Sequence, residues 1–128
     1  MIKLNLQILN EAYALTRLAP DAPPPDWAQG RLTSITRTPL ELTVICEQAY
    51  VPPGLDTQAG FRCLEVVGEF ALDAVGVVAA VSAPIAKAGV SLFLISVWST
   101  DFILVASADL DRSVAALDDA GHAACWAK

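Results

Sequence analysis

Residues Val90 to Ser107, VSLFLISVWSTDFILVAS, constrain this chain more than any other stretch. Two apolar runs of strand composition flank a short polar turn, Ser99-Thr100-Asp101. A hairpin this apolar needs a covered face, so it belongs inside a sheet that other elements pack against. Ser96, Ser99, Thr100 and Asp101 fall within six positions. Hydroxyls and a carboxylate at a hairpin tip act either as local turn formers or as partners for a ligand.

The hairpin has an echo. Shifting the chain by sixty residues lays 28–45 (AQGRLTSITRTPLELTVI) on 88–105 (AGVSLFLISVWSTDFILV). Thr36 then falls on Ser96, Glu41 on Asp101 and Leu4 on Leu64. A hydroxyl and a carboxylate five apart recur in both copies, which reads as two related halves, 1–60 and 61–128.

The elements follow from periodicity. Ile2, Leu4, Leu6 and Ile8 alternate with polar residues, as in a half-buried strand, and Glu11 to Leu18 reads as a second strand or a helix. The proline-rich stretch 19–30 is a loop, 31–38 and 41–47 form a hairpin around Pro39, and 50–60 is again loop. Phe61 to Phe70 is expected as strand. Leu72 to Ala88 carries apolar residues at helical spacing, with Asp73 at its start, Gly89 as its stop and Pro84 expected to kink or split it. Asp109 to Ala120 is a second helix closed by Gly121, and His122 to Trp126 a last strand. From Phe61 onward the order is strand, helix, strand, strand, helix, strand, the α+β ferredoxin-like βαββαβ arrangement with both helices on one face. The first half, its helices replaced by proline-rich loops, is a degenerate β-rich version expected to share the core.

At 128 residues the chain has room for one domain or two small subdomains. Its hydrophobic share of 55% leaves little polar surface, which favours a face covered by a second subunit. The net charge is −6 and the eight basic residues are scattered, which argues against nucleic acid or an anionic membrane as partner. The start has no cleavage site and the longest weakly polar run, Ala74 to Ala86, is too short to span a bilayer, so a cytoplasmic location is expected. Three cysteines without a CxxC pair read as small buried hydrophobes. Trp27, Trp98 and Trp126 read as core or interface anchors. The single His122, three residues before Cys125, has no third orienting group and is expected at a helix end or on the surface. No metal-ligand spacing or glycine-rich phosphate loop is present, so neither a cofactor nor an enzymatic activity is expected.

The element order, the helix from Val75-Gly76-Val77 to Ala88-Gly89-Val90, the run I-S-x-x-x-T-D-F-I-L-V and, in the first half, T-P-L-E-L-T-V-I-C resemble the small tandem ACT-domain proteins. These include bacterial stand-alone ACT pairs and are related to the ACT pairs of the eukaryotic arginine sensor CASTOR. The resemblance implies a regulatory module without catalytic activity that binds an amino acid or related small metabolite at an interface between ACT units, with a homodimer as the expected assembly. Val97 stands where the family pattern carries a second hydroxyl.

An amino-acid ligand needs donors for its carboxylate and acceptors for its ammonium. Main-chain N–H groups at a helix start, over Ala74, Val75, Gly76 and Val77, supply the first. Asp101 with Ser96, Ser99 and Thr100 supplies the second. Thr36, Thr38 and Glu41 form a degenerate second set. The rival reading is a ligand-free interaction module pairing through its sheet face or edge.

Overall fold

The computed structural model describes residues 2–128. Seven strands and two helices follow in the order β1 (Asn5–Leu18), β2 (Ser34–Arg37), β3 (Leu42–Glu47), β4 (Asp56–Val66), α1 (Val77–Lys87), β5 (Phe93–Ser96), β6 (Asp101–Ala106), α2 (Leu110–Asp119) and β7 (Ala123–Trp126). The described residues form two compact units, 11–61 and 62–128 together with 2–10. No helix among the described residues is long and apolar enough to cross a membrane.

The larger unit is an α+β fold with a mixed sheet and two helices. Its strands run in the order β7-β1-β4-β6-β5. From β4 onward the element order is the expected βαββαβ, but β7 does not lie beside β4. The first residues of β1 stand between them, and Asn5 to Ile8 pair in parallel with Ala123 to Trp126. The alternation at Leu4, Leu6 and Ile8 is thereby used, with all three side chains buried in one core with Leu64, Val66, Ile103 and Val105. The helices close that core through Val77, Val81 and Ile85 of α1 and Leu110 and Leu117 of α2, each set spaced to lie on one helical face.

Both helices stop where glycine was expected to stop them, and the geometry explains how. Gly89 (φ 76°) donates to Ala86 O and Val90 to Ile85 O, while Gly121 (φ 93°) donates to Asp118 O and His122 to Leu117 O. These paired bonds close each C-terminus as a Schellman motif, which needs a left-handed residue.

Four expectations are corrected. Helix α1 begins at Val77, not Leu72, because Gly76 is left-handed (φ 93°) and the preceding residues turn on themselves, Ala74 N–H donating to Ala71 O at 2.9 Å. The split expected at Pro84 does not occur, and the helix continues unbroken to Lys87. The carbonyl that Pro84 leaves without a helical donor is that of Ala80, and the His122 ring bonds to it through Nε2 at 2.8 Å. His122 Nδ1 accepts the Leu4 N–H at 3.0 Å, so Nε2 carries the hydrogen. His122 thus follows a helix end but is buried, 5% exposed, rather than on the surface. Residues 5–18 form one strand instead of two segments, and β4 begins at Asp56, inside the expected loop.

The smaller unit orders its strands β2-β3-β1-β4. The β2–β3 hairpin pairs Ser34 with Ile45 through Arg37 with Leu42, and β3 pairs antiparallel with β1 from Leu42–Leu18 to Glu47–Tyr13. Leu42, Val44 and Cys46 pack with Trp27 and Val51. Burial pushes the Cys46 thiol pKa up, the neighbouring Glu47 charge adds to this, and a main-chain bond from Gln29 opposes it.

The two hairpins do repeat, in a register one residue away from the expected shift of sixty. β2 starts at Ser34 and β5 at Phe93, β3 at Leu42 and β6 at Asp101, and the single 3-10 turns that follow start at Gln48 and Ser107. Each offset is 59. Thr38 N–H donates to Glu41 O and Val97 N–H to Thr100 O, both at 2.9 Å, so the same four-residue turn closes both. Strands β3 and β6 each bury three consecutive residues, and such runs align almost as well one residue out of step.

Candidate functional site

One recess of about 390 Å³ in the larger unit is lined by the segment after β4, the start of α1 and the tip of the β5–β6 hairpin. It brings together Ala74, Gly76, Val77, Ser96, Ser99, Thr100 and Asp101. Of the expected residues in this region only Val75 stays outside the lining, with its side chain 92% exposed.

The hairpin tip is positioned by its own pairing. Ser96 and Asp101 are the last register pair of β5 and β6, and Ser96 Oγ donates to Asp101 Oδ1 at 2.5 Å. Asp101 is half-buried and has a second carboxylate oxygen beyond this bond. Thr100 Oγ1 donates to Val66 O at 2.5 Å, and Phe70 N–H donates to Ser99 O at 2.7 Å. Both bonds tie the tip to the end of β4 and the segment behind it. The Thr100 hydroxyl hydrogen is therefore spent on the fold, and its oxygen retains only acceptor capacity.

The helix start supplies donors, at positions shifted from those expected. Ala74 N–H is used within its own turn. Ala80 N–H, bonded to Gly76 O at 2.9 Å, opens the helical ladder, so Val77, Val78 and Ala79 are the N–H groups with no acceptor inside α1. No side chain caps this end and no acidic residue lies in its first turn. Gly76 holds the left-handed entry, and a Cβ there would meet no atom within 4 Å, so its role is backbone conformation rather than clearance. Val78 and Ala79 also line the recess and were not anticipated, because the helix was expected to begin earlier. The left-handed break at Gly76 is the signal that marks them.

Apolar side chains form the rest of the wall. Leu72 is 69% and Trp98 78% exposed, and Val78 and Val97 are also exposed. Trp98 is thus at the tip of the turn, not in a core. Trp126 is exposed too, with the Arg62 guanidinium 5.0 Å from its ring centre, and only Trp27 packs onto a core cluster.

Thr36, Thr38 and Glu41 lie in the other hairpin. Thr38 Oγ1 accepts the N–H groups of Leu40 (3.2 Å) and Glu41 (3.3 Å), and Glu41 Oε2 accepts from Thr43 Oγ1 at 2.9 Å. In the offset of 59, Thr36 matches Ile95, Thr38 matches Val97 and Glu41 matches Thr100, so none of the three falls on Ser96 or Asp101. Among the described residues no group of three or more His, Cys, Asp and Glu side chains is arranged to hold a metal ion.

Comparison with known proteins places this architecture. A family model for the ACT domain matches residues 56–119, half of the chain, from the start of β4 to the end of α2. A second model, for an N-terminal domain, matches residues 11–54. No curated protein matches the chain. Among solved structures, an Agobacterium tumefaciens protein is 33% identical with a TM-score of 0.93, over 100% of this chain and 96% of that one. A Vibrio cholerae protein of unknown function, described as a possible transport protein, is 21% identical with a TM-score of 0.75, over 92% and 90%. The regulatory subunit of aspartate kinase from Thermus thermophilus, in a ligand-free form, is 12% identical with a TM-score of 0.64, over 88% and 93%. The last two likenesses are of fold alone. The match that runs through β4, α1, the β5–β6 hairpin and α2 carries the conclusion: the chain belongs to the ACT-domain family.

Proposed function

We propose that this protein is a regulatory module that binds an amino acid or a closely related metabolite in the recess between the start of α1 and the β5–β6 tip, and that it has no catalytic activity of its own. One observation carries the reading. The uncapped N–H groups of Val77, Val78 and Ala79 and the Ser96–Asp101 pair line one recess, of a volume within the about 300–1,000 Å³ usual for small-molecule sites. A ligand carboxylate belongs at the helix start, where N–H groups and the helix dipole both favour negative charge. Its ammonium belongs at Asp101, with Ser96 and Ser99 oxygens beside it. Ala74, Gly76 and Thr100 line this site, Val75 belongs to the segment that leads into the helix start, and Thr36, Thr38 and Glu41 form a second, degenerate set. The fold shared with an aspartate kinase regulatory subunit is consistent with such a role.

The working assembly is a homodimer in the cytoplasm, without nucleic acid or membrane as partner. The exposed apolar side chain of Phe93 on the edge strand β5 supports a partner surface away from the recess. The same surface favours the second reading, a ligand-free module that pairs with another protein.

A thermal-shift screen of the twenty amino acids tests the first reading. At least one is expected to raise the melting temperature of the native chain and to lose most of that effect in Asp101→Ala. No shift with any amino acid, or an equal shift in the variant, refutes the site.

A further inference from the structure

We propose that the recess selects amino acids with an uncharged, apolar side chain, an inference that rests on the amino-acid reading above and adds the ligand class. The charge inventory comes first. Among the fourteen lining residues Asp101 is the only ionisable side chain, and no Lys, Arg or His lines the recess. One ligand carboxylate has a place at the helix start. A second carboxylate, as in aspartate or glutamate, would meet no cation and would share the recess with Asp101. Cations are limited in the same way. Asp101 balances one positive charge, and one of its oxygens is already engaged by Ser96. The ligand α-ammonium takes that position, so a lysine or arginine side chain brings a second charge without a second acceptor of charge.

The remaining wall decides in favour of apolar matter. Leu72, Val78, Val97 and Trp98 stand exposed around the recess, and Phe70 lies among them. Solvated apolar surface gathered at a concave site gains when an apolar side chain covers it. Trp98 offers the largest such surface on a turn whose backbone is fixed by the Val97–Thr100 and Phe70–Ser99 bonds. A hydroxyl or a charge on the ligand would find few polar partners in that half of the wall. The three lining hydroxyls, at Ser96, Ser99 and Thr100, all belong to the tip that holds Asp101.

Isothermal titration of the full chain with leucine, phenylalanine, alanine, lysine and aspartate separates the possibilities. Leucine or phenylalanine is expected to bind at least about tenfold more tightly than lysine, aspartate or alanine, the usual discrimination of an apolar pocket. Trp98→Ala is expected to weaken leucine or phenylalanine by about tenfold while leaving alanine nearly unchanged. Aspartate or lysine binding as tightly as leucine, or Trp98→Ala weakening every ligand equally, overturns the side-chain inference and leaves the amino-acid site standing. Absence of heat with all five, in a chain whose circular dichroism shows it folded, overturns the site and the inference together.

Discussion

His122 and Pro84 are coupled through a single carbonyl. Proline has no N–H to offer Ala80, and the imidazole provides the missing donor from a position five residues beyond Leu117. Replacing His122 by Ala leaves the buried Leu4 N–H and the Ala80 carbonyl unpaired, and the expected loss is about 2–4 kcal/mol in urea unfolding. In a Pro84→Ala background the helix supplies its own donor to Ala80, and the cost of His122→Ala is expected to fall by about 1 kcal/mol. Equal costs in both backgrounds would show that the ring acts only through Leu4. Cys46 makes a second residue-scale prediction. Its folded pKa is raised, chiefly by burial, so between the ordinary thiol value and that raised value the folded state holds a proton the unfolded chain has released. Stability contributed by the neutral thiol is therefore complete below the ordinary thiol pKa and is lost as pH rises beyond it. Cys46→Ala is expected to flatten the alkaline decline of the melting temperature.

At the scale of elements, the β5–β6 hairpin and the start of α1 were legible to different degrees. Ser96 and Asp101 could be placed together from a strand–turn–strand pattern, because hairpin neighbours are close in sequence. The helix start was not legible: Leu72 and Val75 fit helical spacing as well as Val77 does, and only the left-handed turn at Gly76 ends the loop there. Gly76→Ala is expected to cost about 1–2 kcal/mol through that conformation alone, since no atom blocks a Cβ, and to weaken any ligand held by the N–H groups behind it. Thr100→Val removes the bond from the hairpin tip to Val66 O and is expected to cost about 1 kcal/mol, read by thermal unfolding, with the hairpin otherwise retained.

On the scale of the whole molecule, the larger unit is discontinuous in sequence. The strand at residues 5–8 lies between β7 and β4, and its side chains Leu6 and Ile8 belong to the core closed by α1 and α2. A fragment of residues 61–128 therefore lacks a central strand despite carrying every element of a βαββαβ order. It is expected to give a disordered circular dichroism spectrum, whereas the full chain does not. A cooperatively folding fragment would show that the inserted strand is dispensable.

Local patterns in the sequence already determined much of this protein. Both hairpins, the second helix, the two glycine stops and the polar pair at the β5–β6 tip all depend on residues within a few positions of one another. The alternation at Leu4, Leu6 and Ile8 likewise announced a buried strand face. What the tertiary structure alone decided is which distant partner each of these meets. Alternation says which side of a strand is buried but not which strand lies beside it, so the insertion of β1 beside β7 had no local mark. The offset of 59 rather than 60 was hidden for the same reason, since runs buried on both faces tolerate a one-residue slip in sequence but not in a ladder. His122 reads as an ordinary helix-end histidine until the fold brings Ala80 and Leu4 to its two nitrogens.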